Sequence, residues 1–159
     1  MKAFKRLIGF FFCAFICCGF MAVRAGAEND LAIDETNFPD PAFRSYLSQQ
    51  FDLNKDGVLE SWETNRVGEI YVWNMGISTL EGIELFPNLH ALECLSNNIQ
   101  TLDVSRNPKL DHLACSYNPL TELDLSCNPR MIYLICNGAP SLTDLNVSGC
   151  SELVTLECY

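Results

Sequence analysis

Residues 89–120, LHALECLSNNIQTLDVSRNPKLDHLACSYNPL, decide the fold of this chain. They contain the tripeptide Leu-x-Cys twice, and the tripeptide occurs four times in all, at intervals of 21, 21 and 22 residues: Leu92–Cys94, Leu113–Cys115, Leu134–Cys136 and Leu156–Cys158. A unit of this length cannot enclose a hydrophobic core of its own, so each unit has to bury its apolar residues against the next. The period therefore predicts a solenoid of stacked coils.

Other positions recur at fixed distances from the tripeptide. They are Leu89, Asn97 and Ile99 around the first copy, and Leu110, Asn118 and Leu120 around the second. This pattern resembles the leucine-rich repeat, with Cys in the second strand position, and residues 76–89 are similar to the opening repeat of internalin-like bacterial surface proteins. The resemblance implies an α/β solenoid with short parallel strands over residues 68–159, as about four coils of which the last is incomplete.

A second motif alternates with the first and predicts a second extended segment in each coil. Its copies are Leu102–Asn107, Leu123–Asn128 and Leu145–Cys150. The resemblance implies that Asn97 and Asn118 are buried and bond to the backbone of the adjoining coil, and that Asn107, Asn128 and Cys150 form an equivalent column. Ala139 replaces the first Asn in the third coil, which also has one extra residue, so we expect a local bulge there.

The cysteines are expected to be buried thiols that replace leucine. Four of them repeat once per coil with parallel Cβ directions, whereas a disulfide requires converging geometry. The even number in an exported chain leaves disulfides as an alternative, and a metal-binding cysteine column is a further one. The six cysteines after residue 27 are Cys94, Cys115, Cys127, Cys136, Cys150 and Cys158.

Residues 1–27 have the features of a secretory signal peptide. Lys2, Lys5 and Arg6 precede an apolar stretch at 7–23, and 25–27 reads Ala-Gly-Ala, the form of a cleavage site. An uncleaved membrane anchor is the alternative, because 17 apolar residues are at the lower limit of a span. After cleavage no membrane span is expected to remain, so the sequence predicts a secreted or cell-surface protein.

The chain that remains after cleavage is strongly acidic. It has 6 Lys and Arg against 20 Asp and Glu, a net charge of 6 − 20 = −14. This charge disfavours nucleic acid and anionic lipid as partners and suits binding of calcium.

Residues 28–67 are predicted to be a helical cap that contains a calcium loop. Asp40 and Pro41 are a typical helix start, and apolar residues with helical spacing extend the helix to residue 51. Residues 52–63, DLNKDGVLESWE, match the EF-hand loop. The alternative is a polar turn that binds no metal. The expected Ca²⁺ ligands are Asp52, Asn54, Asp56, the Val58 carbonyl, Glu60 and Glu63.

The outward face of the repeat strands is the candidate partner-binding surface. Side chains alternate along a strand, so the residues between the buried ones form three columns across the coils. Aromatic residues on a polar sheet are typical of recognition surfaces. The residues expected to contact a partner are Tyr71, Trp73, Glu93, Leu95, His112, Tyr133, Ile135 and Tyr159. A further exposed column, Asp103, Asp124 and Asn146, is interpreted as solvated charge.

The sequence thus predicts an exported or cell-surface module for adhesion or recognition, with one structural calcium site and no catalysis. The resemblance to secreted bacterial leucine-rich repeat proteins implies a protein ligand, or a glycan, on the strand face. The alternatives are a calcium-responsive regulatory binding protein and a spacer without its own ligand. Because the chain ends inside a strand, we also expect either dimerisation at that end or further repeats in a longer protein.

Overall fold

The computed structural model describes residues 30–159, and the predicted signal peptide lies outside them. The cap consists of β1 (Leu31–Ala32), α1 (Pro41–Gln50), β2 (Val58–Leu59) and α2 (Ser61–Thr64). The repeats follow as β3 (Glu69–Tyr71), a 3-10 helix (Ile83–Leu85), β4 (Ala91–Glu93), β5 (His112–Ala114), β6 (Glu122–Asp124), β7 (Tyr133–Ile135), β8 (Asp144–Asn146) and β9 (Thr155–Glu157).

Five parallel strands form the main sheet, in the order β3-β4-β5-β7-β9. Each strand pairs residue for residue with the equivalent strand of the next coil, so that Ile70, Leu92, Leu113, Leu134 and Leu156 stand side by side. The predicted solenoid with stacked parallel strands is therefore confirmed.

The second extended segment forms strands in only two of the three coils where it was predicted. Strands β6 and β8 pair in parallel, but residues 101–104 are not part of a strand. In the first coil, the 3-10 helix occupies the position that corresponds to this second segment. A regular second sheet therefore starts only at β6.

One hydrophobic core runs from the cap through the coils. It extends from Phe38 to Cys150 without interruption. The inward leucines of β4, β5 and β7 are fully buried, whereas Leu156 of β9 is 44% exposed. Within residues 30–159 no coil packs on the outer side of β9, and its inward side chain accordingly lacks cover.

The same backbone conformation ends the strand segment of four coils. Asn74, Ser96, Tyr117 and Gly138 all have left-handed φ values, of 52°, 56°, 57° and 62°. Each stands two residues after an inward residue of the strand segment. Non-glycine residues adopt this conformation at a cost, so the surrounding hydrogen bonds have to hold it.

The predicted asparagine columns are present at both corners of the coils. Nδ2 of Asn97 donates to the carbonyls of Val72, Cys94 and Leu95 at 2.6, 3.0 and 3.2 Å. Its Oδ1 accepts from two backbone N–H groups of the preceding coil, at 3.0 and 3.1 Å. Asn118 makes four of these five contacts one coil later: Nδ2 donates to three carbonyls, and Oδ1 accepts from one N–H group, that of Ile99.

At the other corner the side chains reach carbonyls of the preceding coil in the same way. Asn107 and Asn128 do so through Nδ2, and the thiol of Cys150 donates to the Leu125 carbonyl at 3.4 Å. Each column thus satisfies backbone groups that the tight turns would otherwise leave unpaired.

The extra residue of the third coil lies in the turn between β7 and β8. Both strands keep their register with the preceding coil, so the strands themselves carry no bulge. Ala139, which replaces the ladder asparagine, is half-buried in that turn.

The cap covers the first coil with aromatic side chains. Helix α1 begins where Asp40 Oδ1 accepts from the N–H groups of Ala42 and Phe43. Phe38 and Phe43 are fully buried, and the Phe38 ring stacks on Phe86 of the first coil with 6.2 Å between centroids. Gly82 is required at this contact, because a Cβ there would come within 2.3 Å of the Phe38 ring.

The cysteine column is buried except at its end. Cys94, Cys115 and Cys136 are at most 2% exposed, and all six cysteines of residues 30–159 are free thiols. Burial raises the pKa of Cys94 to about 12. For Cys158 the predicted inward, buried position is wrong: the thiol is exposed, because it directly follows β9, the last strand of residues 30–159, and no further coil covers it.

Thiol reactivity should distinguish the buried cysteines from the exposed ones. In the native chain from residue 28 onward we expect only the exposed Cys127 and Cys158 to react with Ellman's reagent at pH 8. The other four should react only after unfolding, since a raised pKa and burial both suppress the reactive thiolate. A count of six in guanidinium is the control, and rapid native reaction of Cys94 would contradict the buried column.

Candidate functional site

The predicted calcium loop connects α1 to α2. Gly57 provides the sharp turn with φ of 81°, and Lys55 is also left-handed with φ of 61°. The residues at the two ends of the loop are buried, Asp52 with 5% exposure and Glu63 with 2%. These two carboxylates therefore face the interior of the loop.

Both end carboxylates hold the loop backbone in place. Asp52 Oδ1 accepts from the Asp56 N–H at 3.1 Å, and its Oδ2 accepts from the Gly57 N–H at 3.0 Å. Glu63 Oε1 accepts from the Leu53 N–H at 2.8 Å, and its Oε2 accepts from the Glu60 N–H at 3.1 Å. Each carboxylate oxygen has a second lone pair left for a further partner.

The remaining loop side chains crowd negative charge around one amide group. Asn54 Nδ2 donates to Asp56 Oδ2 at 3.2 Å and to Glu60 Oε1 at 3.0 Å. Glu60 Oε2 is buried and has no hydrogen-bond partner. The pKa of Glu60 is raised, first by its hydrogen bond to Glu63, then by burial, and also by the charges of Glu63 and Asp56. The interior of the loop thus contains several oxygen atoms and closely spaced negative charges, and a bound cation would reduce the repulsion between these charges.

A lone EF-hand loop lacks the second loop with which such loops normally pair. In this structure β2, which contains Val58, pairs antiparallel with β1 of the lead-in segment. This pairing was not predicted from the sequence, because a two-residue strand in a lead-in gives no periodic signal. It supports the centre of the loop from within the same chain.

The loop side chains do not converge into a finished metal site. In residues 30–159, no three His, Cys, Asp or Glu side chains are arranged so that they could hold a metal ion directly. The oxygens of Asp52, Asn54, Asp56 and Glu63 accept hydrogen bonds from loop N–H groups instead. The calcium site therefore stays a prediction.

The strand face presents the predicted partner-binding residues to solvent. Tyr71 is 39% exposed, Trp73 57%, Tyr133 45% and Tyr159 86%. The other four, Glu93, Leu95, His112 and Ile135, are half-buried. The columns are less regular than predicted, because three small residues within them, Ala91, Ala114 and Ser116, are buried.

Specific contacts connect the residues of the strand face. The Tyr71 hydroxyl donates to Glu69 Oε2 at 2.7 Å, and the Tyr71 and Trp73 rings lie 5.9 Å apart. His112 places Nε2 at 3.5 Å from Glu93 Oε1, and its ring lies 5.9 Å from that of Tyr133. The aromatic side chains are therefore arranged in pairs and not scattered singly.

Sequence reasoning missed one exposed aromatic residue, Tyr117. It is 63% exposed, and its ring lies against the backbone of Gly138 in the next coil. The alternation of inward and outward side chains along a strand does not apply at this position, because Tyr117 is the left-handed residue after the strand. The only available signal was its two-residue distance from Cys115.

The cap touches the strand face directly. The hydroxyl of Tyr46 on α1 accepts a hydrogen bond from the Tyr71 N–H at 3.1 Å. Strand β3 is the first of its sheet, so this N–H belongs to an edge that α1 covers. The helix before the loop and the candidate binding surface are thus connected.

The acidic column on the second extended segments has a local role. Asp103, Asp124 and Asn146 each use Oδ1 to accept from the N–H two residues ahead, at 2.9, 2.8 and 3.1 Å. These bonds form the Asx-type turns of the repeat. The column was interpreted as solvated charge, and its role in these turns is an addition that the sequence analysis did not predict.

The architecture is similar to that of the leucine-rich repeats in three solved internalin structures from Listeria monocytogenes. A functional domain of InlJ that includes a cysteine ladder is 30% identical with a TM-score of 0.65, and the match covers 81% of this chain and 33% of that one. Internalin C2 is 22% identical (TM-score 0.60, 85% and 70% covered), and internalin InlF 19% (0.58, 80% and 45%). The chain thus spans only a third of the InlJ domain's length.

No protein-family model and no curated protein matches the chain. Among the residues that the structure describes, no helix is both long and apolar enough to cross a membrane.

Proposed function

We propose that this chain is an exported, non-catalytic binding module of a bacterial surface, which binds a protein ligand on its strand face. The observation that carries the proposal is the set of exposed aromatic side chains on that face, Tyr71, Trp73 and Tyr133 above all. Tyrosine and tryptophan dominate the energetics of protein interfaces because they bring large contact area with little loss of conformational entropy. The similarity to internalins agrees with an interaction role.

Substitution of a central aromatic residue tests this proposal. We expect Trp73→Ala to weaken binding of the protein ligand at least tenfold, as is usual for a buried aromatic anchor of an interface. Trp62→Ala is the matched control, since Trp62 is similarly exposed, at 46%, but lies in the loop. A photo-cross-linking residue at position 133, with another at position 103 for comparison, would identify the ligand and the face it contacts.

Equal loss in both tryptophan variants, or cross-links from position 103 alone, would place the binding surface elsewhere.

We further propose that one Ca²⁺ stabilises the cap, held by Asp52, Asn54, Asp56, the Val58 carbonyl, Glu60 and Glu63. The support is the unpartnered Glu60 Oε2 and the carboxylates crowded around the Asn54 amide. Calcium supplies two positive charges and takes six to eight oxygen ligands. Because α1 and α2 flank the loop and α1 packs on the first coil, a rigid loop would keep the end of the solenoid covered.

Calcium should raise the stability of the chain in proportion to its occupancy. At a free concentration 100 times the Kd, stabilisation is about 2.7 kcal/mol, which corresponds to a rise in Tm of about 10 °C for a domain of this size. Calorimetric titration and thermal melts of residues 28–159 measure both quantities. Asp52→Asn combined with Glu63→Gln keeps one of the two acceptor oxygens at each position and should abolish both effects of calcium, so each melt is compared with that of the same variant without calcium.

Absence of binding up to several millimolar Ca²⁺ would mean that the loop is only a turn.

A calcium-responsive regulator is the second candidate, favoured by the hydrogen bond between Tyr46 and the Tyr71 N–H. Through this contact, metal binding could move α1 against the strand face. The two functions differ in what calcium changes. A ligand affinity that shifts with calcium in a fully folded protein indicates regulation, whereas a change in Tm alone indicates a structural staple.

A further inference from the structure

The first two coils carry an acidic and aromatic patch, formed by Glu69, Tyr71 and Trp73 on one strand segment and Glu93 on the next. The first three alternate along the chain and so project from the same face, and Glu93 stands in register beside Tyr71. Both rings of the patch are exposed to solvent. Ala91, in register beside Glu69, is small and buried, which leaves space above it.

No lysine or arginine of residues 30–159 forms an ion pair with the carboxylates of the patch. Glu69 and Glu93 approach only histidines, with Nε2 of His90 at 3.9 Å and Nε2 of His112 at 3.5 Å. Within residues 30–159 the five strands of the main sheet contain neither Lys nor Arg. The basic side chains lie in the cap and in the turns.

The Tyr71 hydroxyl is bonded to one of these carboxylates. Its hydrogen bond to Glu69 raises the pKa of Tyr71 to about 12, with further contributions from burial and from the charges of Glu69 and Glu93. Two aromatic rings and two carboxylates without a lysine or arginine partner thus share one face of the sheet.

This combination fits an arginine side chain better than any other group found in proteins. A guanidinium is planar, stacks on tryptophan and tyrosine, and bonds to carboxylates with two parallel N–H groups. A lysine ammonium is a point charge and is more strongly hydrated, so it uses only part of the patch. Acidic ligands would be repelled.

We propose that the patch of Glu69, Tyr71, Trp73 and Glu93 binds an arginine side chain from a basic segment of the protein ligand. The inference rests on the proposed function of the strand face and specifies the chemistry of its partner. The guanidinium stacks on Trp73, and the carboxylates of Glu69 and Glu93 accept its N–H groups.

Short peptides can test the proposal in the full-length protein without the natural ligand. The probes are three blocked hexapeptides that differ only in carrying three arginines, three lysines or three glutamates. A Trp62→Phe background leaves Trp73 as the only tryptophan, so its fluorescence reports binding at the patch. We expect the arginine peptide to bind, the lysine peptide to bind at least threefold more weakly, and the glutamate peptide not to bind.

Two double variants that remove the same number of charges distinguish binding at the patch from general attraction to an acidic protein. Glu69→Gln with Glu93→Gln should weaken binding of the arginine peptide at least tenfold. Asp103→Asn with Asp124→Asn alters two charges on the acidic column elsewhere and should change affinity less than threefold. Thermal melts of both variants confirm that the fold is retained.

Equal weakening by both double variants, or equal affinity for the arginine and lysine peptides, would overturn the proposal. If a neutral oligosaccharide changes the Trp73 fluorescence while no peptide does, the arginine proposal fails but the strand face remains a binding surface. If the natural protein ligand binds unchanged to every strand-face variant, the proposed function fails as well.

Discussion

Replacing Asn97 with alanine is expected to destabilise the chain by about 3–5 kcal/mol, one of the largest effects of any single substitution. The side chain makes five hydrogen bonds to backbone groups, three as donor and two as acceptor, and it is only 6% exposed. Each buried backbone group left without a partner costs about 1–3 kcal/mol, and partial entry of water reduces the sum. Urea unfolding followed by far-ultraviolet circular dichroism measures the loss.

The adjacent residue provides the matched control. Asn98 is exposed and makes one long side-chain contact, from Nδ2 to the Gly76 carbonyl at 3.4 Å. We expect Asn98→Ala to cost less than about 0.5 kcal/mol, as is usual at surface positions. If the two alanine variants have the same stability, the asparagine column does not hold the coils together in the way described.

Replacing Asp40 with alanine should cost about 2–4 kcal/mol, because this carboxylate ties the cap to the first coil. Oδ1 accepts from the first two available N–H groups of α1, and Oδ2 accepts from the N–H and the hydroxyl of Ser78 at 2.8 and 2.9 Å. Loss of a helix N-cap alone costs about 0.5–2 kcal/mol, and the bonds to Ser78 add to it. Chemical denaturation of the variant at pH 7 checks the magnitude.

The same residue predicts a pH dependence. Burial by itself raises the pKa of Asp40, but the hydrogen bonds from Ser78, Phe43 and Ala42 outweigh it, and the net pKa is lowered from 3.8. The ionised carboxylate therefore stabilises the folded chain above its unfolded pKa, and this contribution is lost as the pH falls through the folded value. Asp40→Asn keeps the cap acceptor but should lose this part of the acid dependence below about pH 4.

An unchanged acid dependence in Asp40→Asn would mean that other carboxylates account for it.

The sequence pattern was sufficient for the repeat architecture, because periodic burial leaves a direct record in the residues. The spacing of the inward leucines predicted the strand stacking, and Asn97 and Asn118 were correctly expected to be buried and bonded to the adjoining coil. The same reasoning failed for Cys158, because a periodic pattern contains no information about which coil lies at the end.

The sites were harder to predict because they depend on packing between segments. The pairing of β1 with β2 and the hydrogen bond from Tyr71 N–H to Tyr46 connect residues far apart in sequence without any periodic signal. Ala91 is buried on the strand face, although the alternation of side chains along the strand predicts that it is exposed. The Ca²⁺ ligands at loop positions 52 and 63 stay a prediction, made from the fixed spacing of oxygens that a cation loop requires.

The left-handed residue that ends the strand segment in four coils has a consequence for how such a chain can evolve. The backbone has the same conformation at residues 74, 96, 117 and 138. A duplicated segment that runs from one of these residues to the next therefore fits between its neighbours without any change of turn conformation. A gene can therefore lengthen or shorten the protein by duplicating or deleting one repeat. Each event widens or narrows the strand face by one strand and leaves the cap unchanged.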